Sequence, residues 1–336
     1  MKVLILGGTG TMGNHLTNIL AEKGEQIVVT SRSNREEKEN IKYRQGNAKD
    51  IDFLRNILQE EWDVIVDFMI YSEDEFCERV ELLLNSTTHY IFLSSARVYC
   101  DSSKAITERM TRLLDSSTDK YFLSTSEYSL LKARQENVLR SLNQRNWTIV
   151  RPYITYGEER FQLGNLEKEN WLYRALKGRS IVFSKDILNH LTTLTYSMDV
   201  AVVIERLLGN PKFFGEEYNI VSDYSCSWSD VLNLYLDILE EKFGIRPNVI
   251  YQELNDFIKW NPGRYQIIYD RLYDRVFDNY KISHIVNTQD FVELEEGLRK
   301  SMNSFLVNPK FENINWKYEA IKDKLKYLLY RYLIKN

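Results

Sequence analysis

The chain has 336 residues, enough to bury the core of one large α/β domain or of a domain with a smaller lobe. With 22 Tyr and only 5 Pro it does not read as a chain of long disordered linkers, and a net charge of -4 gives no general pull toward nucleic acid or an anionic membrane. Cys77, Cys100 and Cys226 are odd in number, far apart and without a CxxC spacing, so the expectation is free thiols in a reducing compartment and no metal site. Neither a leader-like segment nor a membrane-length apolar run is legible, and the expected location is cytoplasmic.

In chain order, residues 3–6 form a continuous branched apolar run, the pattern of a strand buried on both faces. Met12, Leu16, Ile19 and Leu20 then recur at helical spacing until Gly24. Between them lie Gly7, Gly10 and Gly13. A tight strand-to-helix turn needs a residue that tolerates positive φ, and a dinucleotide pyrophosphate needs backbone it can approach without meeting a Cβ. The helix start, near Thr11 and Met12, offers unpaired N–H groups and a partial positive charge to that anion. This placement between strand and helix predicts a dinucleotide site.

Residues 26–30 predict a second strand, followed by Ser31 and Arg32 where the adenosine ribose would lie. An acidic residue there favours a free 2′-hydroxyl, whereas Ser31 and Arg32 suit a 2′-phosphate, so NADP(H) is favoured over NAD(H). Residues 41–45 predict a third strand. Asn47 after it is a candidate for the adenine edge or, equally, a turn residue opening the amphipathic helix 51–58. Residues 63–69 predict the fourth strand, with Asp67 read mainly as a group that binds neighbours and Phe68 as a cofactor contact. A helix over 75–84 and a fifth strand over 89–95 complete an alternation that predicts an α/β, doubly wound parallel sheet.

The fifth strand ends in Ser94 and Ser95. Tyr128 and Lys132, four apart within a predicted helix over 124–142, share one helix face. A lysine ammonium beside a phenol stabilises the phenolate, which can then exchange a proton with a substrate alcohol while a hydride passes to or from its carbon. A serine hydroxyl can hold the same substrate oxygen.

These motifs resemble the extended short-chain dehydrogenase/reductases of the nucleotide-sugar epimerase/dehydratase family. The match rests on Gly7-x-x-Gly10-x-x-Gly13, on residues 94–99 (Ser-Ser-Ala-Arg-Val-Tyr), on Tyr128 with Lys132, and on residues 151–157 (Arg-Pro-Tyr-Ile-Thr-Tyr-Gly). Thr107-Glu108, the segment around Asp199, residues 218–220 and residues 296–299 keep the family's order, so the resemblance runs to about Phe305. It implies a Rossmann-type sheet over 1–155, a smaller, mainly substrate-binding lobe over 156–306 with chain returns to the sheet, and an extension over 307–336. It implies Tyr128 as acid/base, Lys132 as the group lowering its pKa and bonding the nicotinamide ribose, and Ser95 rather than Ser94 as substrate-oxygen donor. Arg160, Gln162, Asn165, Lys177 and Arg179 are candidate sugar or diphosphate contacts. A homodimer is expected.

Three departures shape the functional expectation. Cys100 stands where a glycine is usual. Residues 67–69 look more like atypical members, including chloroplast RNA-binding proteins. Ala96 and Arg97 supply no carboxylic acid after the catalytic hydroxyl, which argues against dehydration. The leading expectation is net oxidoreduction of a nucleotide-linked sugar; the alternatives are an epimerase with tightly held cofactor and a non-catalytic RNA binder. Outside the resemblance, Tyr318, Ile321, Leu325, Leu328, Leu329 and Tyr332 fall on one helical face with lysines and arginines around it. That face is expected to pack on its own domain or across a dimer, with peripheral membrane contact as the lesser alternative.

Overall fold

The computed structural model describes residues 1–335, with side-chain surroundings through Leu325. Strand β1 (Lys2–Leu6) is flanked in sequence by α1 (Thr11–Glu22) and β2 (Gln26–Ser31). Then follow β3 (Ile41–Gln45), α2 (Ile51–Ile57), β4 (Trp62–Asp67), α3 (Glu73–Asn85) and β5 (Thr87–Leu93). A sixth strand, β6 (Trp147–Pro152), lies beside β5. The sheet has seven strands, in the order Glu216–Ile220, β6, β5, β4, β1, β2, β3, and every pair is parallel. Val3, Leu4, Ile5 and Leu6 are fully buried, because helices cover both faces of a parallel sheet. The order reverses at β1, whose neighbours are β2 and β4, and a crevice opens beyond the carboxyl ends of the strands at such a point.

The outermost strand, Glu216–Ile220, comes from the second half of the chain, as does the helix Ser197–Leu207 packed on α1. The remaining second-half residues build a lobe whose core includes Trp171, Phe183, Trp228, Tyr235 and Leu298. Family-like segments act here as ties. Glu108 accepts the Asn219 N–H at 2.9 Å, and the Tyr99 hydroxyl donates to Asn219 at 2.8 Å.

Several local boundaries differ from the sequence reading, among them the fifth strand, which ends at Leu93, and two have a clear physical cause. β4 stops at Asp67, whose carboxylate takes the Met69 N–H and so turns the chain out of the sheet. The long helix begins at Tyr128 rather than near Ser124, because Glu127 caps it by accepting the Ser129 N–H.

The terminal helix spans Trp316–Lys335. Tyr318, Ile321 and Leu325 pack against the lobe core. Lys322, read from sequence as part of a basic rim, is instead fully buried, paired with Glu319 and donating to the Asn170 carbonyl. Glu319 also takes Arg174 at 2.6 Å, so this turn is an internal ion-pair cluster and not a charged face toward solvent. The expected face positions Leu328, Leu329 and Tyr332, with Lys326, Arg331 and Lys335, lie outside the described side chains. No helix among the described residues is long and apolar enough to cross a membrane.

Candidate active site

The glycine turn has the space its sequence calls for. Gly7 has φ +67° and its N–H donates to Thr30 Oγ1 at 2.9 Å. A Cβ on Gly13 would stand 2.5 Å from the Gly8 Cα, so only glycine lets α1 approach the turn. A Cβ on Gly10 would meet nothing within 4 Å, and Gly10 caps α1 with no side-chain hydrogen bond. The first-turn N–H groups near Thr11 and Met12 therefore face open space with no capping side chain, which fits a pyrophosphate. A cavity of about 470 Å³ lies there, lined in part by Thr9, Gly10, Thr11, His15, Glu158 and Arg160. His15 and the Tyr196 hydroxyl hold Glu158 at 3.3 and 2.6 Å and keep its carboxyl down at about 2.

The ribose-end residues divide. The Ser31 hydroxyl donates to the Ser33 carbonyl at 2.8 Å and so closes its own turn. Arg32 is exposed, and its guanidinium makes no hydrogen bond or ion pair among the described residues. Asn47 Oδ1 accepts the Lys49 N–H at 3.1 Å, the turn role, while its amide nitrogen remains available. Phe68 is half-buried and packs against the core that includes β1 and α1 residues.

Ser95, Tyr128 and Lys132 meet beyond the end of β5. Ser95 Oγ accepts the Arg97 N–H at 3.2 Å, which leaves its own proton to donate. Ser94 is turned elsewhere: its hydroxyl donates to buried Glu136 at 2.6 Å. Burial pushes the Tyr128 phenol above its ordinary value, while Arg97, Arg160 and the Ser95 hydroxyl pull it back. The Arg97 Cζ stands 5.4 Å from the centroid of the Tyr128 ring and Lys132 Nζ 5.9 Å. Arg97 thus joins Lys132 as a cation on Tyr128, a role the sequence reading gave to Lys132 alone.

Lys132 is itself under pressure. Burial lowers its ammonium to about 8, against the carboxylates of Asp67 and Glu136. It lies 4.7 Å from the Phe92 ring centroid and donates to the Met69 carbonyl at 3.3 Å. Asp67, fully buried, accepts from the Tyr90 hydroxyl at 2.8 Å and the Tyr71 hydroxyl at 3.3 Å, the neighbour-binding role expected of it.

The substrate candidates scatter. Arg160 donates to Thr155 Oγ1 at 3.2 Å and lines the cavity at the start of α1. Gln162 is buried between Glu167 and Arg271, and Asn165 bonds Asn261 at 2.7 Å. Arg179 pairs with Asp323 of the terminal helix and lines a different cavity with Lys177's neighbour Gly178. Sequence reasoning missed a cluster of Tyr153, Asp270, Arg271 and Arg275 beneath Arg97. No spacing signals it, since its members come from β6's exit and from a bend more than a hundred residues later.

Residues 3–221 match the model of the NAD dependent epimerase/dehydratase family. The chain is 28% identical over 236 residues to the chloroplast stem-loop binding protein of 41 kDa b of Arabidopsis thaliana, covering 65% of this chain. The chain spans 58% of the length of that curated relative. Among solved structures it resembles an epimerase from Methanothermobacter thermautotrophicus (TM-score 0.69, 17% identity, 91% of this chain and 92% of that one). It also resembles a dTDP-glucose 4,6-dehydratase from Bacillus anthracis in complex with NAD (0.69, 17%, 92% and 97%). A UDP-glucose 4-epimerase from Thermus thermophilus in complex with NAD is similar too (0.67, 18%, 92% and 100%). At such identity these likenesses establish the fold.

Proposed function

The chain belongs to the NAD dependent epimerase/dehydratase family, and on that premise we propose that it exchanges a hydride between a nicotinamide cofactor and a hydroxyl or keto carbon of a nucleotide-linked sugar. The observation that supports this most is the meeting of Ser95, Tyr128 and Lys132 at the crevice end of the sheet. When bound, the nicotinamide supplies the hydride acceptor or donor. Tyr128 exchanges the proton of the substrate oxygen, Ser95 donates a hydrogen bond to that oxygen, and Lys132 with Arg97 favours the phenolate. Gly7, Gly10 and Gly13 with the α1 start would hold the pyrophosphate.

The reading favours redox or epimerisation over dehydration, because Ala96 and Arg97 offer no acid beside Ser95. Unengaged Arg32 favours a 2′-phosphate and hence NADP(H). The test is a screen of nucleotide sugars with NADP(H) and NAD(H), following nicotinamide absorbance and product stereochemistry, with Tyr128→Phe alongside. The substitution should cost about 10²–10⁴ in kcat. Turnover unchanged in Tyr128→Phe would overturn the mechanism.

The Arabidopsis relative, named for stem-loop binding, supports a second reading as an RNA binder. Its outcome would be no turnover of any nucleotide sugar together with RNA binding that weakens steeply with salt.

A further inference from the structure

Arg97, Arg271 and Arg275 converge on Asp270, and Arg97 also stands beside Tyr128. Asp270 takes Arg275 Nε at 2.8 Å, pairs with Arg271 and stands 3.5 Å from Arg97 Nε. Arg271 and Arg275 are fully buried, and each guanidinium makes four hydrogen bonds. Arg271 donates to the Gly164 carbonyl, the Tyr153 hydroxyl and Gln162 as well. Arg275 adds the carbonyls of Cys100, Tyr99 and Tyr269.

Arg97 differs. Its Nη2 donates to Glu127 at 2.5 Å, but its buried Nε has no hydrogen-bond partner, and Nη1 makes none among the described residues. The other oxygen of Glu127 is engaged by Ser129. Glu167 and Asp101 add negative charge near Arg271 and Arg275, so the guanidinium left with the fewest partners is that of Arg97, which stands 5.4 Å from the Tyr128 ring centroid. A partly buried cation with unfilled donors calls for an anion, and a planar guanidinium matches a carboxylate.

We propose that Arg97 is a specificity-determining residue that takes the carboxylate of an acidic, uronic-type sugar while Tyr128 works on a neighbouring ring carbon. This rests on the nucleotide-sugar reading above. A carboxylate there takes the donors that Glu127 leaves unfilled on Arg97.

The test is calorimetric titration of the full chain with UDP-glucuronic acid, UDP-glucose and UDP, for the unaltered protein, Arg97→Gln and Arg97→Lys. Arg97→Gln should weaken UDP-glucuronic acid at least about ten-fold more than UDP-glucose, the size of a lost charge-assisted bond. Arg97→Lys keeps a cation toward Glu127 and Asp270, guards against loss of folding, and should recover part of the preference. An equal change for all three ligands would assign Arg97 to the diphosphate and overturn the proposal. No preference for the acidic sugar in the unaltered protein would also overturn it. Because this reads binding without turnover, its failure is distinguishable from that of the hydride mechanism, which Tyr128→Phe tests.

Discussion

Two buried ionic clusters lie within a few residues of each other in this fold, and they are balanced differently. Around Glu136, the carboxylate accepts Arg151 through both oxygens at 2.7 and 2.8 Å, Arg112 at 3.1 Å and Arg140 at 3.2 Å. Glu217 and Asp115 supply the remaining negative charge. Three cations thus meet three anions, and Glu136 is held down at about 2, burial opposing and Arg151 outweighing it. Around Asp270, Arg271 and Arg275 make four hydrogen bonds each, whereas Arg97 makes one and lies beside Tyr128. A cluster that only ties elements together has reason to be neutral. Unfilled donors on a partly buried guanidinium are a cost that bound ligand would offset.

The largest break in this comparison is Glu136→Gln. It leaves Arg151 buried without its main partner and should cost about 3–5 kcal/mol in urea unfolding. In the unaltered protein the Glu136 contribution is complete above its ordinary 4.5 and is lost as pH falls through about 2, so the variant should lose this acid sensitivity. An equally steep acid loss in the variant would place it elsewhere.

Lys132→Met is expected to act in the opposite direction. The buried ammonium titrates near 8 against 10.5 when unfolded, so its penalty is full below pH 8 and fades as pH rises through 10.5. Removing it should stabilise the fold by about 1–3 kcal/mol at pH 7, with the gain shrinking over that window, while turnover is lost. Destabilisation at pH 7 would mean that Lys132 belongs with the structural cluster. The smallest effect is that of Glu127→Gln, which removes one of the two anions facing Arg97. It should cost less than about 1 kcal/mol in stability, and the limb of the pH–rate profile belonging to Tyr128 should move to lower pH.

Where the site is local it was legible. Gly7, Gly10 and Gly13 lie within seven residues; Gly7 needs its positive φ and Gly13 the close approach of α1, both fixed by neighbouring chain, while Gly10 needs neither. Tyr128 and Lys132 share a helix turn, so spacing put them on one face. Ser31 and Asn47 are also local, yet their hydroxyl and carbonyl oxygens close turns, and sequence left that choice open for Asn47. Arg179 was read as a candidate sugar or diphosphate contact and Lys322 as part of a basic rim, although Glu319, three residues before Lys322, is a partner visible in the sequence. Asp323, paired with Arg179, and Asn170, which accepts from Lys322, come from other elements.

By itself, then, the sequence determined the alternating elements, the glycine turn and the helix face shared by Tyr128 and Lys132, since each depends on backbone geometry and periodicity over a few residues. Only tertiary structure decided which charges are compensated. Arg97 is joined to Asp270 and Arg275 across more than 170 positions, and electrostatic balance in a buried site depends on distance through space.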